Sequence, residues 1–246
     1  IFLGSRSGGF WKTLDGWETW ENTTDFLFAS GVNTIAVSPD DPERILINVR
    51  NSYNGTTHGI YESYDGGNHW SRTNFNPDNL NWGGPGTNNR IYKIMYHPYI
   101  PNLVFAGTSE GIFRSENNFE SYSLSQTGSS WEISQDYDYI EFHPTDPNII
   151  YASMWEFRRG PWFFESGGDS SALYKSIDSG KSWNPFSKNL NRVAVHDLVI
   201  HHGENDLLVG THGRSIYKTN LDVFDNYMKK YKKGNDITIL DISELK

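Results

Sequence analysis

Arginine is the side chain best equipped for recognition chemistry in this chain, and its ten copies are unevenly placed. Arg6, Arg50, Arg158 and Arg159 end short apolar runs or open the loops that follow them. Arg90 and Arg192 stand just before such runs, and Arg214 lies in a tight Gly-rich loop. Guanidinium groups brought together suit a carboxylate, sulfate or phosphate, because each presents a planar fork of donors. The competing reading is that each arginine pairs with a neighbouring Asp or Glu and only holds a loop. Aromatic residues form the second candidate set. Trp155-Glu156-Phe157-Arg158-Arg159-Gly160-Pro161-Trp162-Phe163-Phe164 is too aromatic for an ordinary solvent loop, Trp82 lies in a Gly-rich connection, and Trp131 lies in the next one. Exposed rings there would stack on sugar faces or anchor a protein partner, whereas rings folded back would plug the domain.

Carboxylates and histidines are weaker candidates. Glu132, Asp136, Asp138 and Glu156 fall near the same loops, so Asp136, Asp138 and Glu156 are the candidate acid/base residues should the chain cleave glycosidic bonds. His196, His201, His202 and His212 cluster in sequence, but His196 and His201 are an odd number of positions apart and face opposite sides of one strand. No shared metal is expected from them. His97 and His143 precede turn prolines and are expected to satisfy backbone groups there. Nucleophile elbows, phosphate loops and zinc motifs are absent, and no cofactor is expected.

The elements that must position these residues are short strands in a repeat. A small residue, two apolar residues, a variable position and Ser or Thr recur as Gly9–Thr13, Gly59–Ser63, Gly111–Ser115, Ala172–Ser176 and Ser215–Thr219. Between them fall Ile35–Pro39, Ile94–Pro98, Ile140–Pro144 and Leu198–His202, each followed by a polar turn and a further apolar run. The spacing, roughly 40–60 residues, is what one four-stranded propeller blade needs. The unit is strand A, a Pro turn, strand B, a loop, strand C and a turn into strand D. The fold class is therefore all-β, a β-propeller of four-stranded antiparallel blades with about five represented. Residues 1–220 form the propeller, and 221–246 read as a helix and strand that pack on it or close it.

The turn after strand C carries its own pattern. Ser63–Trp70 and Ser176–Trp183 fit S-x-D-x-G-x-x-W through Asp65, Trp70, Asp178 and Trp183. Thr13–Trp20 fits through Asp15 and Trp20 except that Trp17 replaces the Gly, and Ser115–Tyr122 has Asn117 for Asp and Tyr122 for Trp. The hydroxyl and carboxylate accept backbone N–H bonds, Gly permits positive φ, and the Trp packs under the turn. These segments resemble the Asp-box, or BNR, repeat of sialidases, sortilin-type propellers, xyloglucanase-type glycosidases and large secreted bacterial repeat proteins. Ala194–Tyr217 is similar to the closing segment of the bacterial sortilin-like proteins. The resemblance implies a propeller whose boxes are structural turns on the face away from the ligand, and it transfers no catalytic residue. The Arg-Ile-Pro start of sialidases is absent.

In such a propeller the B–C loops and D–A connections share the ligand face. That places Arg6, Arg50, Trp82, Arg90, Trp155, Arg158, Trp162, Arg192 and Arg214 around one mouth as candidate ligand contacts. The net charge of −9 argues against nucleic acid, no apolar run is long enough to span a membrane, and the lack of cysteine excludes disulfides and thiolate metal sites. The chain opens in mid-strand composition without Met, as a mature chain or part of a larger polypeptide would. The expected role is a secreted or cell-surface module that binds a glycan or a protein segment, anionic ligands included, without catalysis. A glycoside hydrolase of sialidase or xyloglucanase type and a scaffold without a small ligand are the alternatives.

Overall fold

Each box turn is built from its own side chains. In Ser63–Trp70, Ser63 Oγ accepts the Gly67 N–H at 2.8 Å, while Asp65 Oδ1 accepts the N–H groups of Asn68 at 3.0 Å and His69 at 2.9 Å. Ser176–Trp183 repeats this, with Gly180 on Ser176 at 2.8 Å and Ser182 on Asp178 at 2.9 Å. The two diverged copies close in the same way. Thr19 N–H reaches Asp15 at 3.0 Å, and Ser121 N–H reaches the Asn117 amide oxygen at 2.9 Å. The need for Gly is corrected by these copies. Trp17 and Phe119 occupy the Gly position with φ of +85° and +66°, a conformation that costs an ordinary side chain about 1–2 kcal/mol. Phe119 offsets this by complete burial and Trp17 by an edge-on contact with Trp20.

The computed structural model describes residues 1–79, 89–127, 134–136, 140–160, 162–168, 171–186, 190 and 193–222, without the side chains of 127, 134–136, 157–160 and 164–166. The chain divides into two compact units. In the first, Ile1–Tyr137, strands β1 (Phe2–Ser5), β2 (Gly9–Lys12) and β3 (Glu21–Asn22) form one antiparallel blade. Strands β4 (Gly31–Val37), β5 (Ile45–Arg50), β6 (Thr57–Ser63) and β7 (Ser71–Arg72) form the second. Strands β8 (Ile91–Tyr96), β9 (Val104–Thr108), β10 (Gly111–Ser115) and β11 (Ser123–Thr127) form the third, and β12 (Ser134–Asp136) follows.

The second unit, Asp138–Lys246, contains β13 (Ile140–Phe142), β14 (Ile150–Gly160), β15 (Phe163–Ser166), β16 (Ala172–Ser176) and β17 (Asn184–Pro185). It ends in the three-stranded sheet of β18 (Val195–His201), β19 (Asp206–Thr211) and β20 (Ser215–Asn220). The fold is an all-β propeller whose strands fall on the expected A, B, C and D segments. One expected loop is corrected. Trp155–Ser171 contains a hairpin, because β14 runs on to Gly160 and β15 pairs back on it, Phe157 opposite Ser166 and Arg158 opposite Glu165. The tail expected over 221–246 lies outside the described residues beyond Asp222, and Leu221 is fully buried. Among the described residues no helix is long and apolar enough to cross a membrane.

Apolar residues of the inner strands, buried on both faces in β5 and β9, form the cores between neighbouring blades within each unit. Leu46, Ile60, Phe75, Ile94, Val104 and Phe113 pack between the second and third blades, and Phe10, Val32, Ile45 and Val49 between the first and second. Tyr151, Leu173, Val195, Leu198 and Leu207 do the same in the second unit. The box tips dock on the A–B turn of their own blade, Gly66 N–H on Glu43 O at 2.9 Å and Ser179 N–H on Asn148 O at 3.0 Å. Box turns and Pro turns therefore share one end of each blade. His97 and His143 cap those turns as expected: His97 Nδ1 accepts the N–H of Ile100 at 3.0 Å and His143 Nδ1 that of Asp146 at 3.1 Å.

Candidate functional site

At the other end of the first unit, three strand ends bring three arginines into one pocket of about 430 Å³. Arg6 follows β1, Arg50 ends β5 and Arg90 precedes β8, so each comes from a different blade. Gly31 makes the approach feasible. A Cβ there would stand 2.6 Å from the Arg6 carbonyl oxygen and 2.9 Å from that of Arg50, so only a residue without a side chain lets β4 pass between them.

The remaining wall is the loop after β5. Asn51 folds it, accepting the Tyr53 N–H on its side chain at 2.8 Å and the Gly55 N–H on its carbonyl at 2.9 Å. The loop carbonyls then steady two of the arginines: Arg90 Nη2 donates to Asn54 O at 3.1 Å and Arg6 Nε to Ser52 O at 3.4 Å. Gly55, at φ +77°, faces the centre, where a Cβ would meet Arg50 Nη1 at 3.5 Å and Arg90 Nε at 3.7 Å. Tyr53, 91% exposed, and Tyr92 complete the lining.

The charge balance of this pocket is one-sided. Among the described residues no carboxylate lines it and no ion pair involves Arg6, Arg50 or Arg90. Burial, and after it the charges of Arg6 and Arg90, push the Arg50 guanidinium down from its ordinary value. The buried Nε atoms of Arg50 and Arg90 have no hydrogen-bond partner. Three described arginines away from the pocket have other partners, although the Nε of Arg44 is also buried without one. Arg72 pairs with Asp78 at 2.6 Å, Arg114 with Glu116 at 2.7 Å, and Arg44 lies over the Tyr64 ring. Pairing with an acidic neighbour is thus seen for Arg72 and Arg114, whereas Arg6 and Arg90 bond only loop carbonyls.

A polar chain running from buried Thr57 and Asn48 out to exposed Asn33 positions the two inner arginines. Thr57 Oγ1 donates to Asn48 Oδ1 at 2.6 Å, Asn48 Nδ2 to Asn33 Oδ1 at 2.6 Å, and Asn33 Nδ2 to Ile91 O at 2.8 Å. It ties β5, two residues before Arg50, to β8, one residue after Arg90.

The other sequence candidates are placed as follows. Trp155 stands in β14 with its ring 4.3 Å from that of His196, whose buried Nε2 is unpartnered. Burial, then His212, holds the His196 imidazole below its ordinary value. Glu156 is buried with Ser171 Oγ on its backbone N–H at 2.9 Å, so this carboxylate is enclosed within the fold. Trp162 is 95% exposed beyond the end of β14, and Arg214 is exposed in the β19–β20 turn. Arg158 is placed only by its backbone in β14, and Asp136 only by its backbone in β12. Trp82, Trp131, Glu132, Asp138 and Arg192 lie outside the described residues. Among the described residues no group of three or more His, Asp or Glu could hold a metal ion. The sequence put the Arg50–His58 loop on this face without singling out Tyr53 or Asn54, and it missed Tyr92. It also missed Phe28, 92% exposed, against the His58 ring.

Known structures share this architecture. A GH74 enzyme of Niastella koreensis is 19% identical, with 90% of this chain and 34% of that one covered at a TM-score of 0.63. The GH74 xyloglucanase of Xanthomonas campestris is 15% identical, with 89% and 34% covered at 0.62. An ancestral GH74 enzyme is 16% identical, with 89% and 28% covered at 0.67. The chain spans about a third of the length of these enzymes, and at such identities the likeness shows the fold alone. No curated protein matches the sequence. The family model described as Sortilin-Vps10 (sortilin, neurotensin receptor 3) matches residues 58–243, and the chain belongs to that family.

Proposed function

We propose that this chain is an extracellular, non-catalytic binding propeller that takes an anionic glycan or protein segment at the Arg6–Arg50–Arg90 pocket. The observation that carries the reading is the gathering of three guanidinium groups with no carboxylate among the described lining residues. Like charges so arranged repel, and an anionic ligand would relieve that repulsion. The pocket lies at the end of the blades away from the box turns, where loops vary without disturbing the cores. Membership of a receptor-type propeller family supports binding over turnover and an exterior location. The buried state of Glu156 supports it too, since a general acid must reach its substrate.

Glycan-array and peptide-array binding with wild type, Arg50→Met and Asp65→Ala tests the reading. Arg50→Met should weaken anion binding about 10- to 100-fold, the scale of losing one charged hydrogen-bonding contact. Asp65→Ala should lower stability by about 1–2 kcal/mol, as loss of a turn cap does, and leave binding unchanged below its melting range. Turnover of chromogenic glycosides by the wild-type chain would overturn the non-catalytic reading.

A further inference from the structure

Building on the pocket reading, we propose that its ligand is a phosphomonoester carried on a sugar, held as the dianion. Three guanidinium groups reach the pocket from three blades, and no described residue of opposite charge lines it. One carboxylate brings a single charge and two oxygens in one plane, which a single arginine fork already saturates. A phosphomonoester brings up to two charges and three terminal oxygens pointing in three directions. It can therefore engage all three arginines together, and its charge comes nearest to balancing theirs. The two flanking arginines are held in place by the Asn54 and Ser52 carbonyls, while Arg50 between them forms no hydrogen bond or ion pair among the described residues. That is a preformed cradle with one free central donor.

The rest of the pocket fits a ring rather than a bare ion. Its volume of about 430 Å³ is far larger than phosphate needs, and it is in the range of small-molecule sites. Tyr53 and Tyr92 offer aromatic faces and hydroxyls beside the cation cluster, as sugar faces and their hydroxyl groups require. No described apolar residue lines it, which disfavours a lipid tail or an apolar peptide side chain.

Calorimetry on the full chain with inorganic phosphate, sulfate, acetate, glucose 6-phosphate, glucuronate and phosphotyrosine tests this. Glucose 6-phosphate is expected to bind at least ten-fold tighter than glucuronate and than inorganic phosphate at pH 7.5. Its affinity should fall about ten-fold at pH 5.0, because the second phosphate proton binds near pH 6. Sulfate should bind equally at both pH values, since it stays a dianion and the pocket lining holds only arginine and tyrosine as titratable groups. Tyr53→Ala should remove the preference for the sugar ester over free phosphate, and Arg50→Met should weaken both. Arg50→Met should also melt no lower than wild type without ligand, which separates lost binding from lost folding. Glucuronate or acetate binding as tightly as the phosphates, or phosphate affinity unchanged by pH, would overturn the phosphomonoester and leave the anion pocket standing. Phosphotyrosine binding more tightly than the sugar ester would overturn the sugar. No anion binding at all, with Arg50→Met without effect, would overturn both this inference and the pocket reading beneath it.

Discussion

At the scale of single residues, the box aspartates couple this fold to acid. Asp15 is held down at about 2 by the Thr19 hydroxyl and N–H and by Thr13. Asp65 is lowered further, first by the His69 N–H and side chain. For Asp178 burial pushes upward, but the hydrogen bonds of Ser182, Ser176 and Lys181 outweigh it, and the net shift is downward. A carboxyl depressed in the folded state contributes stability above its unfolded value, near 3.9, and loses it as pH falls through the folded value. Thermal unfolding should therefore show wild type losing stability between about pH 4 and 2. Asp15→Asn, Asp65→Asn and Asp178→Asn combined should flatten that slope and lower stability at neutral pH. Asn117, which does the same work uncharged, makes asparagine a fair substitute. An unchanged slope would mean that other carboxylates control acid unfolding. The boxes were legible in the sequence because every hydrogen bond in them is local. Tyr53 was not, because its place in the pocket depends on loop carbonyls that meet Arg6 and Arg90 from other blades.

Elements were legible wherever a short β-rich apolar run is bounded by Pro, Asp and Asn. Ile45–Val49 and Leu103–Ala106 were marked as strands by composition and emerged as β5 and β9. The β14–β15 hairpin was hidden because its aromatic and charged residues carry no clean alternation and Gly-Pro marks a loop and a hairpin turn equally. Asn48 was hidden for a different reason. A single amide in an apolar strand shows no purpose until β8 is set beside β5 and the Asn33–Ile91 partners appear. Its role gives a prediction at this scale. Asn48→Leu keeps the volume but removes the buried acceptor of the Thr57 hydroxyl, whose next nearest acceptor is the Val49 carbonyl at 3.5 Å, at a cost of about 1–3 kcal/mol. Chemical denaturation should show that loss. Anion binding should weaken as well, since the same chain fixes the spacing of Arg50 and Arg90. A variant that lost stability and kept full affinity would show that the arginines are positioned by the Asn51–Gly55 loop alone.

Over the whole molecule, a net charge of −9 opposes a pocket that gathers three positive charges. Distance and salt decide which one a ligand meets. Asp40, Asp41 and Glu43 lie exposed around the A–B turn at one end of β5, and Arg50 closes its other end. Six residues of strand separate them by roughly 20 Å. In water each unit charge at that separation contributes about 0.2 kcal/mol per unit of ligand charge, before screening. With a Debye length near 30 Å at 0.01 M salt much of this survives, whereas near 8 Å at 0.15 M almost none does. The pocket arginines act at contact distance and stay effective in both. Neutralising the distant group as Asp40→Asn, Asp41→Asn and Glu43→Gln should therefore strengthen binding of the dianion sulfate about two- to three-fold at 0.01 M salt and leave it unchanged at 0.15 M. Calorimetric titration at the two salt concentrations reads this directly. An equal gain at both would mean that the acidic turn reaches the ligand by more than its long-range field, and the separation of the two blade ends would then have to be redrawn.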